Sequence, residues 1–584
     1  MQIRNLVLFV ILALFSGARI TATRVQIHIR TQSQFDNLNT IIHDAVADGV
    51  TDVEVVFLKG TYYFKDNHLV LGDIKNPAFK LRLKGDGVVV VPEGRTVETD
   101  KVMDEYDYNS SVVSLSRGGI VNTWSETEYA DADVEVLDVE RKNCRLKYSG
   151  SVLLKESDCK SVYIMITAWC RAYYYKVQKI EKGYVYFVAD NLAEGINWVK
   201  DRNGYNVNND YIYAKTFPRY RLCNTEPLNI GRVHICEAQT FINDVGGSLK
   251  SLSISGFTFL GNKNVGNADN PQNSLLFFDN VVSKGVIIRR CKFIGHNTKI
   301  LSIRKTNDLT FDDNYVAHNF RWGIYSYNSS NRTTVTNNDF EYNGESMSYD
   351  RCVTCCGSDY YIANNKFTNY GYCGISVGMW YGGVMENKPK GIVENNVLVY
   401  TDDWMRNVWK HTIMDSGAIY LWTKNKGTIV RYNVIKNYGG AKDNRGIFCD
   451  DGAFNIELYG NVITGVTNSY CIDSRRVASV ESQSIDIDRS NVNIVIRDNL
   501  VDGRIRFEGN EEDNNACVLG NNYYLQVKET KPIVNTVKNV DVSGDNILLD
   551  QMGEKNDRVV VTRRSYNNLR KSPEWKLLKK QVRR

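Results

Sequence analysis

The chain has 584 residues, 43% of them hydrophobic and 24% charged, with a formal net charge of +5. Such proportions are ordinary for a folded soluble protein, and the small net charge, much of it in the last residues (VVVTRRSYNNLRKSPEWKLLKKQVRR), excludes a basic groove for nucleic acid. The length suits either about four compact domains or one repeat that grows along a single axis.

Residues 1–18 read as an export signal: Arg4 supplies a basic start, LVLFVILALF an apolar core, and a Ser-Gly-Ala run ends at Ala18. That core is too short to span a bilayer, and no other segment approaches eighteen apolar residues, so the expectation is a secreted or periplasmic chain without membrane insertion, acting as a monomer. In residues 24–100, FDNLNTIIHDAVADG places Phe35, Leu38, Ile41, Ile42 and Ala45 on one helical face, and VEVVFLKGTYYF follows as a strand and a Gly turn. A cap helix followed by first coils is the natural reading. Residues 101–230 are dense in β-branched and aromatic residues around a Lys-Gly turn (SVYIMITAWCRAYYYKVQKIEKGYVYFVAD), which predicts a β-rich insertion, here expected to wall a groove.

From Val286 to Tyr523 one phrase returns: an apolar run, an Asn-rich pair, then an aromatic or branched residue. Its equivalent positions are Cys291, Asn314, Asn338, Asn365, Asn396, Asn433, Asn461, Asn499 and Asn522, at gaps of 23, 24, 27, 31, 37, 28, 38 and 23 residues. A floor near 23 with variable excess fits a coil with fixed strands and elastic loops. Ile324, Ile419 and Ile447, in GIYSYN, GAIYLW and GIFCDD, each lie 14 residues before a member of the Asn series. Ile375 in GISVG joins the same series at a spacing of 21. Two phases locked together predict an all-β, right-handed parallel β-helix over 245–540, with the Asn side chains bonded along the axis. The regular Leu spacing of a leucine-rich repeat is absent from the sequence. A short helix (PEWKLLKKQV) is expected in the basic tail, 541–584.

Thirteen cysteines leave at least one thiol unpaired or bridging chains. Cys352, Cys355 and Cys356 lack a second pair or a His at ligand spacing, so packing or one local disulfide is expected there rather than zinc.

The opening helix with KGTYYF, the inserted module with Trp169 and YYYKVQKI, and the tandem MDSGAIYLW … RGIFCDDGAFNIELYGNVI together resemble the bacterial right-handed parallel β-helix enzymes that act on polysaccharides, in particular the glycoside hydrolases of that fold. The resemblance covers most of the mature chain. It implies hydrolysis of a plant, algal or host glycan by two carboxylates, with Asp415 and either Asp450 or Asp451 as the catalytic pair. Such pairs stand about 5–5.5 Å apart in retaining enzymes and about 6.5–9.5 Å apart in inverting ones.

Strand alternation, with Ile419 and Ile447 inward, sends Tyr420, Trp422, Phe448 and Asp450 outward, and alignment of Ile472 with Ile447 adds Asp473 and Arg475. Rings for the apolar face of a sugar, carboxylates and an Arg make a glycan site. With His411 from the loop TDDWMRNVWKHTIMD and with Arg445, these complete the candidate substrate-binding set: Tyr420, Trp422, His411, Arg445, Asp473 and Arg475. On a straight strand Asp415 lies about 23 Å from Asp450, so the Ser416-Gly417 turn must fold it back, or Asp473 serves as the partner. No metal site is expected, although Asp450-Asp451-Gly452 also suits a turn or a calcium ligand. A β-helix lyase acting on uronates and a non-catalytic glycan-binding or adhesion solenoid are the competing readings.

Overall fold

The computed structural model describes residues 24–98, 112–114, 119–120, 125–130, 134–138, 141, 143–147, 156, 159, 162–168, 171–188, 219–224, 232–263, 270–279, 285–327, 329–344, 350–378, 390–404, 416–422, 426–439, 444–450, 453–466, 470–475, 492–501, 503–508, 517–520, 522–524, 533–535, 540–541 and 547–548. The expected export signal and nearly all of the basic tail lie outside these residues.

The molecule is a right-handed parallel β-helix with three sheet faces. The first face stacks strands such as Thr334–Thr336, Ser358–Ala363 and Lys390–Glu394, and the second stacks Asp339–Asn343, Lys366–Tyr370 and Val397–Val399. The third is a sheet of twelve described strands running from Leu69–Val70 to Ile533–Asn535. Each coil pairs in parallel with the next, so Ile324, Val353, Ile375, Ile419, Ile447, Ile472 and Ile505 form one inward column. All of them are fully buried, alongside the ring stack Phe259, Phe293 and Phe311.

The Asn-rich pair turns the corner between the first two faces, and its two members do different work. The first takes the left-handed conformation: Asp313, Asn337, Asn364, Asn395, Tyr432 and Asp498 have φ between 54° and 59°, and Gly460 has φ 65°. The second is buried and bonds to its neighbours above and below. Asn365 Oδ1 accepts from the Asn338 backbone N–H at 3.0 Å and from Asn338 Nδ2 at 2.9 Å. Its own Nδ2 donates to the Val335 carbonyl at 2.9 Å and to Asn396 Oδ1 at 3.0 Å. The same pattern continues through Asn433, Asn461 and Asn499 to Asn522. A second ladder runs at the next corner through His296, Asn319 and Asn343.

The expected cap helix is two helices, Gln32–Asp36 and Leu38–Ala47, broken at Asn37, with Phe35, Leu38 and Ile42 buried and Ile41 and Ala45 packed at the margin. Strand Ser251–Asn262 pairs in parallel with Lys80–Pro92, so the chain resumes coiling on the coil it left at residue 98. Between them, an antiparallel sheet of seven described strands includes the hairpin of Arg171–Glu181 and Tyr184–Val188. The hairpin turns at Lys182 and Gly183, both at positive φ, as a two-residue turn that matches strand twist requires. A smaller sheet of Gly94–Glu98, Val112–Ser114, Gly119–Ile120 and Arg232–Cys236 forms its stalk. The stalk's main described contacts are with Ser251–Asn262 and Lys292–His296, not with the twelve-stranded face. Cys352, Cys355 and Cys356 are free thiols, all three packed in the interior.

Asn365→Ala removes the acceptor of the Asn338 backbone N–H and breaks three further buried bonds, to Asn338 Nδ2, the Val335 carbonyl and Asn396 Oδ1, and should lower stability by about 3 kcal/mol or more. Asn364→Gly keeps the left-handed corner and should cost less than about 1 kcal/mol. Thermal and urea unfolding of the two variants measure the difference.

Candidate functional site

The twelve-stranded face departs from simple alternation at one point in each coil. The N–H groups of Ile300 and Leu301 both point to the Gly323 carbonyl, at 3.0 and 3.3 Å, which marks a β-bulge. The residue before the inward column therefore also faces inward: Ile300, Cys352, Ala418 and Cys471 all belong to the core. Space for this second inward residue is short. A Cβ on Gly374 would lie 2.6 Å from Leu398, and one on Gly446 would lie 2.5 Å from Ile463. Hence the recurring Gly-Ile at the start of these strands. The bulge also turns the position two before the column away from the core, so Lys299, Trp322, Arg351 and Arg445 stand on the outward side of the sheet, though buried there, a placement that period-2 counting misses.

Phe448 pairs with Tyr420 on one side and Asp473 on the other, and Asp450 pairs with Trp422, the register expected from the sequence. The Tyr420 hydroxyl donates to Asp450 Oδ2 at 2.6 Å. Tyr420 meets Phe448 edge-on, with ring centres 5.1 Å apart, and leans on Tyr372 at 5.8 Å. Both Tyr420 and Asp450 are almost wholly buried.

Arg445 and Asp473 are at 0% exposure and hold each other, Nε to Oδ2 at 2.8 Å. Arg506 adds two bonds to the same carboxylate, at 2.8 and 2.6 Å. The Arg445 guanidinium lies 4.1 Å from the centre of the Phe448 ring. Burial works against the charge on Asp473, but the bond and charge of Arg506 and those of Arg445 outweigh it and hold the carboxyl below its usual range. Asp473 is thus an ionised anchor beneath Phe448 and has no proton to give at neutral pH. These two members of the expected substrate-binding set lie under the surface, because Asp473 stands between two arginines that neutralise it.

The backbones of Trp422 and Arg475 lie on the expected strands, Ser416–Trp422 and Tyr470–Arg475; their side chains, like Asp415, Asp451 and His411, lie outside the described residues. Among the described residues no three His, Cys, Asp or Glu side chains gather at metal-binding distance.

Further along the face the sequence reading overlooked a group of rings and cations. Trp322 stacks on Tyr325 at 4.9 Å, Lys299 Nζ lies 5.0 Å from the Trp322 ring, and Arg351 Cζ lies 5.4 Å from that ring and 5.5 Å from Tyr372. Rings and cations therefore follow one another without a break from Lys299 to Asp450.

No family model matches the chain, and no curated protein matches it. Among solved structures, one described as a glycoside hydrolase overlaps 89% of this chain and 97% of its own, at 10% identity and a TM-score of 0.41. XylC in complex with xylose overlaps 87% of this chain and 76% of its own, at 10% identity and a TM-score of 0.38. The catalytic domain of a GH87 alpha-1,3-glucanase in complex with nigerose overlaps 80% and 98%, at 11% identity and a TM-score of 0.30. At such scores the overlaps carry no weight for activity.

Asp473→Asn removes the charge that two buried arginines share and should cost about 3–5 kcal/mol. Because the folded carboxyl is held below its unfolded value of about 3.9, its contribution is complete above that pH and fades as pH falls through the lower folded value. The wild-type melting temperature should therefore drop more steeply than the variant's below about pH 4, as followed by circular dichroism.

Proposed function

We propose that this chain is an exported glycoside hydrolase that cleaves a polysaccharide or oligosaccharide by a two-carboxylate mechanism, with Asp450 as one of the two carboxylates. The observation that supports this reading most is the buried Asp450 carboxylate, held by the Tyr420 hydroxyl at 2.6 Å where a run of outward aromatic rings ends. Rings laid along a sheet face suit the apolar faces of sugars, and a positioned carboxylate beside them suits proton transfer to a glycosidic oxygen or attack on the anomeric carbon.

The second carboxylate is Asp415, on the resemblance of its sequence element, with Asp451 the alternative to Asp450 in the other element. Asp473 is set aside as that partner because its charge is consumed by Arg445 and Arg506. In this scheme Tyr420 orients Asp450, Phe448 and the ion triad beneath it fix Tyr420 from below, and Trp422 and Arg475 line the approach. The expected amino-terminal export signal supports action outside the cytoplasm, where polymeric glycans are met.

Asp450→Asn keeps the shape of the side chain and removes its titrating group, so turnover of a cleaved glycan should fall by several orders of magnitude while the melting temperature stays near wild type. Tyr420→Phe should lower kcat by about 10–100-fold through loss of orientation. Reducing-end release by purified protein over a glycan panel, with absorbance read in parallel for unsaturated uronides, measures both. Near wild-type hydrolysis by Asp450→Asn would remove Asp450 from the mechanism, and growth of the ultraviolet signal would replace hydrolysis by elimination.

A further inference from the structure

We propose that the coils bearing Lys299, Trp322 and Arg351 form a separate subsite for an acidic sugar of the glycan, an inference that rests on the glycan reading above. Trp322 and Asp450 are separated by four coil steps, through Val353, Ile375 and Ile419 to Ile447, or roughly 19 Å at the usual strand spacing. Trp322 and Tyr325 present a stacked pair of rings, with the ammonium of Lys299 and the guanidinium of Arg351 each about a ring's width from Trp322. Two cations beside one aromatic platform match a pyranose that carries an anionic group, its apolar face on the rings and its charge near the cations. A neutral sugar would use the rings alone.

A second observation lies between this group and Asp450. Thr354 pairs with Tyr325 and Ser376 pairs with Tyr420, which places their hydroxyls in the interval on the same outward column. Both residues are fully buried, and neither hydroxyl has a hydrogen-bond partner among the described residues. Buried hydroxyls are rarely left so, and sugar hydroxyls passing along the face would satisfy them. Lys299, Trp322 and Arg351 are themselves buried, with Lys299 Nζ donating to the Asn270 carbonyl at 3.3 Å. The half-buried Tyr325 and Tyr327 are the more exposed part of the group. The glycan thus runs along the helix axis and bears carboxylate or sulfate groups.

The test is titration calorimetry of the full chain with three hexasaccharide probes: an oligogalacturonate, a sulfated galactan oligosaccharide and a neutral xylo-oligosaccharide, at low and high salt. An acidic probe should bind more tightly than the neutral one and lose affinity as salt rises, and the acidic probe that does so distinguishes carboxylate from sulfate. Lys299→Met and Arg351→Met should each weaken that binding by about tenfold, the loss expected of one charge-assisted contact. Equal affinity for the neutral probe, or unchanged binding of acidic probes by variants that melt like wild type, would overturn the subsite. The salt dependence of the wild type decides the matter even where a variant does not fold. Binding needs no turnover, so failure of the hydrolase reading appears only in the Asp450→Asn assay and failure of the subsite only here.

Discussion

Everything in this molecule depends on turning the same corner in every coil without leaving a backbone group unpaired. A parallel solenoid pairs its strands along the axis, but at each corner the chain leaves the sheet and its amides lose their ladder partners. The Asn series solves this twice over in each coil. Its side-chain oxygen takes the stranded N–H of the preceding coil, and its side-chain nitrogen returns a bond to a carbonyl, as Asn396 does with the Asn365 N–H and the Ile362 carbonyl. Asp would lose the donor, and Gln would overshoot. The preceding residue must bend the chain at positive φ, which explains why Asn, Asp or Gly holds that place in most coils, with Arg290 and Tyr432 the exceptions among the described residues.

With the corners fixed, the strands between them are held in register, and the outward columns become free for other uses. On the first face they are filled by ion pairs and tyrosines, as where Glu394 takes bonds from Arg431 and Tyr361. On the twelve-stranded face the outward side chains are instead buried, and the bulge before each inward Ile adds a further outward column. The extra inward residue costs space, met by Gly323, Gly374 and Gly446, and the return is a wider outer row in which Lys299, Trp322, Arg351 and Arg445 stand beside Tyr325 and Phe448.

The sequence made the coil legible because its two signals are local and repeated: an Asn pair at every corner and an inward Ile at a fixed distance ahead of it. The register of Ile419 and Ile447 followed from that phase, and the alignment of Ile472 with Ile447 gave the remaining neighbours of Phe448 and Asp450. The bulge was not legible, because a strand with one doubled inward position has no period of its own. Simple alternation from Ile324 sends Trp322, two residues before it, inward. Nor could alternation tell that Asp473 would be spent on Arg445 and Arg506. Arg506 comes from the following coil, 33 residues on, and nothing near Asp473 in the sequence announces it.

The ion triad also shows why burial alone is a poor guide to chemistry on this face. Asp450 and Asp473 are both carboxylates on outward positions of adjoining coils, and both are buried, yet their surroundings give them opposite uses. Asp473 faces two guanidinium groups whose bonds exceed the cost of removing its charge from water. Its ionisation is then a structural constant, and its energy is spent in fixing Phe448 and the strand above. Asp450 is met on its Oδ2 oxygen by a phenol, a donor that sets direction without supplying a positive charge. A carboxylate oriented in that way is aimed for the proton exchange or attack proposed for it. The two roles depend on each other: the rigid pair beneath Phe448 keeps Tyr420 aimed, and the aimed tyrosine leaves Asp450 in one defined position at the end of the ring-lined face.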